Sequence, residues 1–409
     1  MNAGAAQVVV AGVICLDLIP QMDRVMGAAD LERLLVPGRL VGIGPAVTAT
    51  GGAVPNTGLA LHRLGVPVRL MGKIGDDLFG RAISDMLEAH GEGLSADLIV
   101  SRGEMTSYTI VISPPGVDRI FLHCPGANHT FSAADVADEH VKDVRLFHFG
   151  YPPVMQAMYS RNGEQLTAMF ERMKALGLTT SLDMAKPDPE SEAGRVDWPG
   201  LLARLLPVVD IFMPSFEELL FMLDREAYDR LERSYGPGQA LSGADAETLT
   251  RLADALLGMG AAVVGIKLGE HGLYLKTTAD PARLERFGAC RPAAFAGRDW
   301  LGRELLAPCY AVDAAGTTGA GDCTIAGFLA GLLQGLPLER VALGAVAVGA
   351  CNVEQRDAVS GVPAWETVRR RMDAGWAQRA PGIALPASEW KRDEGTGLYF
   401  RIGEGETDQ

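Results

Sequence analysis

The stretch GTTGAGDC, residues 316–323, combines small residues with a single carboxylate and leads into a helical pattern. Apolar residues recur every three or four positions after it, which predicts a helix that begins near Gly321. Gly335 and Pro337 predict where this helix ends. Asp322 should therefore lie in the first helical turn. The apolar residues are Ile325, Phe328, Leu329, Leu332 and Leu333.

A helix N-terminus exposes free backbone N–H groups and the positive end of the helix dipole, so it can bind an anion. We predict an anion site formed by the N–H groups of Ala320, Gly321 and Asp322, with Gly319 and Gly321 allowing a phosphate to approach the backbone closely. Asp322 would take a proton from a hydroxyl while these groups stabilise charge on a transferring phosphoryl group. The alternative is that Asp322 only interacts favourably with the helix dipole.

A second predicted helix start, in GGAVPN, carries groups suited to binding a polyol. The paired glycines Gly51 and Gly52 allow close backbone approach, and Pro55 suits the first helical turn. Asn56 offers both a donor and an acceptor to hydroxyl groups. Together with Asp17, which follows the first predicted strand, these residues predict a polyol-binding set.

The elements that position these residues follow a βαβ pattern, because short apolar runs alternate with helical periods. Polar or small residues recur where the apolar runs end, which is where open α/β sheets bind ligands. The sequence therefore predicts an α/β fold with a mostly parallel sheet and a small-molecule site. Predicted strands cover 7–15, 68–74, 145–151, 179–184, 209–214 and 262–268, and predicted helices lie within 162–175 and 246–257.

Two extended segments, 40–50 and 107–123, do not fit the βαβ alternation. They predict either a small separate sheet that acts as a lid or an ordinary edge hairpin. Residues 288–308, which contain several arginines, are interpreted as a solvated insertion.

Composition excludes several classes of function. The formal net charge of −14 disfavours nucleic acid and anionic membranes as partners, and no basic run with interleaved aromatic residues is present. No apolar stretch is long enough to span a bilayer, and Asp17 interrupts the apolar N-terminal region, so we expect a cytoplasmic protein without a signal peptide. The six cysteines are scattered without the spacing of a zinc or redox site.

The two glycine-rich motifs, in this order and near opposite ends of the chain, resemble those of the ribokinase-like, PfkB-type carbohydrate kinases. The resemblance also covers GVICLD, GKIGDDLFG, RIFLHCPGAN and IKLGEHG. It implies a Rossmann-type three-layer α/β/α domain with a small β-sheet lid, and transfer of the γ-phosphate of ATP to a hydroxyl. The kinase domain would span 1–385, with lid segments at about 18–50 and 105–125 and a polar tail over 386–409.

The resemblance also implies roles for individual residues. It makes Asp322 the catalytic base and residues 319–321 the anion hole. Mg²⁺ would be held mainly by the nucleotide phosphates and water, with Glu218 contributing through a water molecule. The sugar would bind Asp17, Gly51, Gly52 and Asn56, and ATP would bind near Lys267, Gly269, Gly272 and Thr318, with Asn352 close to the adenine.

Three positions depart from the family pattern. Gly316 stands where many members have an aspartate that helps to bind a monovalent cation, so potassium activation is not predicted unless Asp313 replaces that aspartate. Ser215 stands where an asparagine is usual. Lys267 occupies a position where threonine is usual, and it would either contact ATP phosphates or extend from a strand end towards solvent.

Two alternatives to a sugar kinase follow from the same residues. The segment GACNVEQ also resembles the nucleoside kinases of this fold, and Gly316 with Ser215 would suit a non-catalytic sugar-sensing homologue. The expected partners are a small-molecule sugar or nucleoside acceptor and a second copy of the chain that pairs through the lid.

Overall fold

The computed structural model describes residues 6–22, 36–114, 119–292 and 300–402, and the apolar runs of the sequence form its strands. Four adjacent strands of the main sheet are buried along their whole length, as expected for a sheet that is covered on both faces. The strands are β1 (Val8–Gly12), β2 (Cys15–Pro20), β3 (Ala46–Gly51), β4 (Val68–Met71), β5 (Lys73–Gly75), β6 (Ile99–Ser101), β7 (Tyr108–Ile112), β8 (Ile120–Cys124), β9 (Leu146–Gly150), β10 (Thr179–Asp183), β11 (Ile211–Phe212), β12 (Val263–Lys267), β13 (Leu273–Thr277), β14 (Glu304–Ala307), β15 (Trp390–Arg392) and β16 (Tyr399–Arg401).

The main sheet has ten strands in the order β15-β16-β14-β13-β12-β11-β10-β9-β1-β4. The strands from β4 to β12 in this order run parallel, whereas β13, β14, β16 and β15 pair antiparallel. The connecting helices are α1 (Ala53–Arg63), α2 (Leu78–His90), α3 (Asp138–Val141), α4 (Gln156–Ala175, interrupted at 160–163), α5 (Trp198–Leu205), α6 (Phe216–Leu223), α7 (Arg225–Tyr235), α8 (Ala246–Gly258), α9 (Pro281–Glu285), α10 (Ala320–Leu333), α11 (Leu338–Val353) and α12 (Trp365–Asp373).

Alternate side chains of the central strand β1 enter two separate cores. Val8 and Val10 pack in the core that contains α1, α10 and α11, whereas Val9 and Ala11 pack in the core that contains α4, α5 and α6. The sheet therefore lies between two helical layers, which confirms the predicted three-layer α/β/α architecture. Among the residues described, no helix combines the length and apolar character needed to cross a bilayer.

The two extended segments contribute to a separate four-stranded sheet in the order β3-β2-β7-β8, here called the small sheet. The prediction of one strand over 7–15 is wrong, because β1 ends at Gly12 and β2 begins at Cys15. Gly12 has φ +127°, and a Cβ there would lie 2.3 Å from the Gly150 carbonyl oxygen. The chain turns there towards the small sheet, so Asp17 belongs to β2.

Two segments predicted to be polar and peripheral contribute strands to the main sheet. Residues 288–308 are not a solvated insertion throughout, because Trp300 is buried and β14 pairs with β13. In the predicted tail, β15 and β16 extend the sheet and bury Trp390 and Leu398. The strands β14, β15 and β16 have only three or four residues each, and β15 and β16 are partly exposed. They therefore lack a strong apolar period. Residues 293–299 and 403–409 lie outside the described residues.

Candidate active site

Asp322 lies in the first turn of α10, as predicted, and its side chain is buried. The helix begins after Gly319, which has φ +72°. A Cβ at Gly319 would lie 2.5 Å from the Ala358 carbonyl oxygen, so both conformation and packing require glycine. The sharp turn at Gly319 thus brings a carboxylate and the N–H groups of Gly321 and Asp322 to one place. The prediction that Ala320 N is also free is wrong, because it donates to the Thr317 carbonyl oxygen over 3.3 Å.

The Asp322 carboxylate receives hydrogen bonds from three side chains. Asn56 Nδ2 donates to Oδ2 over 3.1 Å, and Thr57 Oγ1 donates to Oδ1 over 3.3 Å. Tyr151 Oη lies 2.8 Å from each carboxylate oxygen. The sequence analysis assigned Asn56 to the sugar and missed Thr57 and Tyr151, because nothing local indicates that α1 and the end of β9 meet α10.

Burial raises the pKa of Asp322, although nearby Lys267 and the hydrogen bonds from Tyr151, Asn56 and Thr57 oppose this effect. A carboxylate with a raised pKa accepts a proton more readily, provided that it is ionised at the working pH. The arrangement therefore suits a general base.

Lys267 lies at the end of β12 beside three carboxylates. Its Nζ is 2.5 Å from Asp183 Oδ1, and its side chain is only 12% exposed, so it does not extend into solvent. Burial alone would lower the pKa of the Lys267 ammonium, but the charges of Asp183, Glu218 and Asp322 raise it above the ordinary value. Lys267 therefore stays charged.

The Lys267 ammonium also lies next to the first turn of α10. A Cβ placed on Gly321 would be 3.7 Å from Lys267 Nζ, which is an ordinary contact. Unlike Gly319, Gly321 is therefore not required by the packing of the protein itself. Glycine at this position leaves the space between the helix N-terminus and the ammonium open to an anion.

Glu218 and Ser215 form a capping box at the start of α6. Ser215 Oγ accepts from Glu218 N over 3.4 Å, so the serine that replaces the usual asparagine serves as the helix cap, and Ser215 N donates to Glu218 Oε2 over 2.6 Å. Burial raises the pKa of Glu218 and of Asp183. The negative charges of the other carboxylates in the cluster raise both pKa values further. Asp183 Oδ2 is buried without a hydrogen-bond partner. Two buried carboxylates with a spare oxygen fit a hydrated divalent cation.

The predicted polyol-binding residues are also brought together. Asp17 packs on Gly51, where a Cβ would lie 2.5 Å from Asp17 Oδ2. Gly52, with φ +96°, is the N-cap of α1, the helix that carries Asn56. Burial raises the pKa of Asp17. Asp17 therefore packs against the chain segment that leads from the small sheet into α1, the helix that carries Asn56.

The residues predicted to bind the nucleotide lie at the end of β12 and in the turn after it, in the loop before α10, and on α11. Gly269 and Gly272, both with positive φ, form the turn between β12 and β13. Asn352 is fully buried and donates from Nδ2 to the Thr318 carbonyl oxygen over 2.8 Å. Asn352 therefore supports the loop before α10, and its position near the adenine stays a prediction.

Arg119 is a further residue that the sequence analysis missed. It precedes β8 in the small sheet and donates hydrogen bonds to the hydroxyl groups of Thr317 and Thr318. An arginine of the small sheet is thus held against the loop that leads to the anion site. The sequence could have indicated this contact, because Arg119 is a basic residue inside a segment that was predicted to form a lid.

Comparison with known proteins agrees with this geometry. The family model described as pfkB family carbohydrate kinase matches residues 8–365. An uncharacterized sugar kinase of Archaeoglobus fulgidus is 23% identical over 306 residues, which are 75% of this chain and 98% of that protein. The 2-dehydro-3-deoxygluconokinase of Bacillus subtilis is 25% identical over 327 residues, which are 79% of this chain and 86% of that protein.

Solved structures share the fold at low sequence identity. An Arabidopsis thaliana ribokinase complexed with ribose and ATP has a TM-score of 0.65 and 18% identity, and the match covers 90% of this chain and 98% of that one. A fructokinase with bound ATP from Xylella fastidiosa has a TM-score of 0.64 and 18% identity, with the same coverage.

Proposed function

Because the chain belongs to the pfkB family of carbohydrate kinases, we propose that it transfers the γ-phosphoryl group of ATP to a hydroxyl of a sugar or sugar acid, with Asp322 as the general base. The observation that carries the proposal is the placement of Asp322. It is a buried carboxylate with a raised pKa, held by Asn56 and Thr57 at a helix N-terminus that faces the Lys267 ammonium.

In the proposed reaction the acceptor hydroxyl gives its proton to Asp322 while its oxygen attacks the γ-phosphorus. The bond between that phosphorus and the oxygen bridging to the β-phosphate breaks, and ADP leaves. The N–H groups of Gly321 and Asp322 and the Lys267 ammonium stabilise the charge on the phosphoryl oxygens. A magnesium ion held by Asp183 and Glu218 through water would supply further neutralisation of the phosphates.

The acceptor is proposed to bind between the small sheet and α1. Asp17 can accept hydrogen bonds from hydroxyl groups, whereas Gly51 and Gly52 let Asp17 and the Val13 carbonyl oxygen pack directly against the start of α1. Asn56 already donates to Asp322, so its remaining amide oxygen is the atom offered to the acceptor. Gly269, Gly272 and Thr318 are proposed to line the ATP site.

The proposal is tested by acceptor-dependent ADP formation with Mg-ATP. The panel contains ribose, fructose, 2-dehydro-3-deoxygluconate and several nucleosides, the first three of which are suggested by the names of similar proteins. We expect turnover with a sugar or sugar acid. Turnover with nucleosides alone would favour the nucleoside kinase alternative, and binding of an acceptor without ADP formation would favour a sugar-sensing homologue.

The loop before α10 is proposed to bind the phosphoryl group without a bound monovalent cation. A Cβ at Gly316 would lie 3.0 Å from Arg356 Cα and 3.1 Å from the Arg356 carbonyl oxygen, so the backbone has closed over this position. Asp313 is exposed and does not fill it. We expect equal rates in potassium, sodium and Tris buffers of the same ionic strength. A rate that increases with potassium and saturates would contradict this prediction.

A second copy of the chain is proposed to cover the small sheet. Phe121 and Leu122 on β8 are 57% and 52% exposed, and Val47 on β3 is also exposed. Light scattering after gel filtration should give the mass of a dimer, and Phe121→Ser should shift the protein towards the monomer. A monomeric wild-type protein at micromolar concentration would contradict the proposal.

A further inference from the structure

Tyr151 has an unusual backbone conformation directly beside the proposed base. It follows β9 with φ 67° and ψ 41°, a left-handed conformation that is unfavourable for an aromatic residue. In the described part of the chain, the other non-glycine residues with positive φ are Arg161 and Asn162, in the interrupted segment of α4. Tyr151 N donates to the Asp183 carbonyl oxygen over 3.3 Å, which ties this turn to the neighbouring strand β10.

The phenol group lies where an acceptor hydroxyl has to bind. Asn56 and Thr57 each donate to one oxygen of Asp322, whereas Tyr151 Oη is 2.8 Å from both oxygens. A sugar hydroxyl that gives its proton to Asp322 needs the same O–H to carboxylate contact. Burial, with the nearby charges of Asp322 and Asp183, raises the pKa of Tyr151, so the phenol keeps its proton and remains a donor.

We propose that the Tyr151 hydroxyl is a placeholder for the acceptor: it occupies the acceptor position on Asp322 when no sugar is bound, excludes water from the base, and moves away when the acceptor binds. This inference rests on the proposed role of Asp322 as the base. The backbone strain at Tyr151 favours such a movement, because the residue is held in place by its contacts rather than by its own conformational preference.

The reaction that the placeholder suppresses is hydrolysis of ATP. A water molecule at this position would give a proton to Asp322 and attack the γ-phosphorus with its oxygen. The bond to the oxygen bridging to the β-phosphate would break, and ADP and phosphate would be released. The phenol competes with this water and, equally, with the acceptor.

The test is Tyr151→Phe, which keeps the ring and removes the hydroxyl. Loss of a hydrogen bond to a carboxylate corresponds to roughly 10- to 100-fold in an equilibrium, so we expect the acceptor KM to fall by about this factor. ATP hydrolysis without acceptor should rise by a similar factor, and kcat for transfer should change little. Tyr159→Phe is the matched control, because Tyr159 is a buried tyrosine of α4 that is not among the donors to Asp322.

A large fall in kcat with unchanged acceptor KM and unchanged ATP hydrolysis would overturn the inference and make Tyr151 a residue that positions the base. The single variants Tyr151→Phe and Asp322→Asn, measured side by side, separate the two proposals. If Asp322→Asn alone leaves transfer unchanged, the base assignment fails. If Asp322→Asn abolishes transfer but Tyr151→Phe does not increase ATP hydrolysis, only the placeholder fails.

A structural measurement covers the case in which Tyr151→Phe does not fold. In a crystal of the wild-type protein with acceptor and a non-hydrolysable ATP analogue, we expect Tyr151 Oη to have left hydrogen-bonding distance of both Asp322 oxygens. A phenol that still contacts both oxygens in that complex would overturn the inference.

Discussion

Asp322→Asn should lower kcat for phosphoryl transfer by about 10²-fold or more and leave ATP binding intact. A general base contributes roughly this factor, and asparagine cannot accept the proton of the acceptor hydroxyl. Asparagine keeps the shape of the side chain and one acceptor oxygen, which can still receive the Asn56 hydrogen bond, while the Thr57 hydroxyl can reverse and accept from the new amide. The measurement is steady-state ADP formation together with calorimetric titration of ATP.

Asp197→Asn is a suitable control for this substitution. Asp197 caps α5 by accepting a hydrogen bond from Gly200 N, and asparagine caps helices equally well. The control variant should keep wild-type activity. Unchanged activity in Asp322→Asn would contradict the role of Asp322 as the base.

The raised pKa of Asp322 also fixes the direction of two pH effects. The acidic limb of kcat/KM should lie above the ordinary aspartate pKa of about 3.9, because the base must be ionised. The folded state binds the proton of Asp322 more tightly than the unfolded state does, so ionising this group destabilises the fold as the pH rises through the folded pKa. Asp322→Asn should therefore be more stable than wild type at neutral pH in urea unfolding, and the difference should shrink as the pH falls towards the unfolded pKa.

Lys267→Met has the second large expected effect, on both activity and stability. The ammonium is buried against Asp183 and lies beside the N-terminus of α10. Its removal should lower kcat on the order of 10²-fold, which is the loss typical of one stabilising donor for a developing charge. It also leaves Asp183 buried without its partner, which should cost about 3–5 kcal/mol in the free energy of unfolding.

The double variant Lys267→Met, Asp183→Asn separates these two effects. Neutral asparagine removes the unpaired carboxylate, so most of the lost stability should return in a urea unfolding measurement. The lost activity should not return, because the positive charge at the anion site is still missing. Recovery of activity together with stability would contradict a contact between Lys267 and the ATP phosphates. The role of Lys267 would then be only to neutralise the charge of Asp183.

Local sequence predicted the parts of this protein that depend on near neighbours along the chain. The start of α10, predicted near Gly321 and found at Ala320, and the place of Asp322 in the first helical turn follow from glycine conformation and apolar spacing, which act over a few residues. The alternation of buried strands and helices likewise predicted the α/β class. The short edge strands β15 and β16 were missed, because three-residue strands carry too little periodicity to be distinguished from a polar tail.

The tertiary structure alone decided what surrounds the carboxylate. Tyr151 and Asn56 are 171 and 266 residues away from Asp322 in the chain, and only the packing of α1 and β9 against α10 brings them together. The same holds for Lys267 and Asp183, which meet because β12 and β10 end at the same edge of the sheet. The sequence by itself determined which residue types could do the chemistry. The fold determined which of them share a low-dielectric site, where burial shifts the pKa values that the chemistry requires.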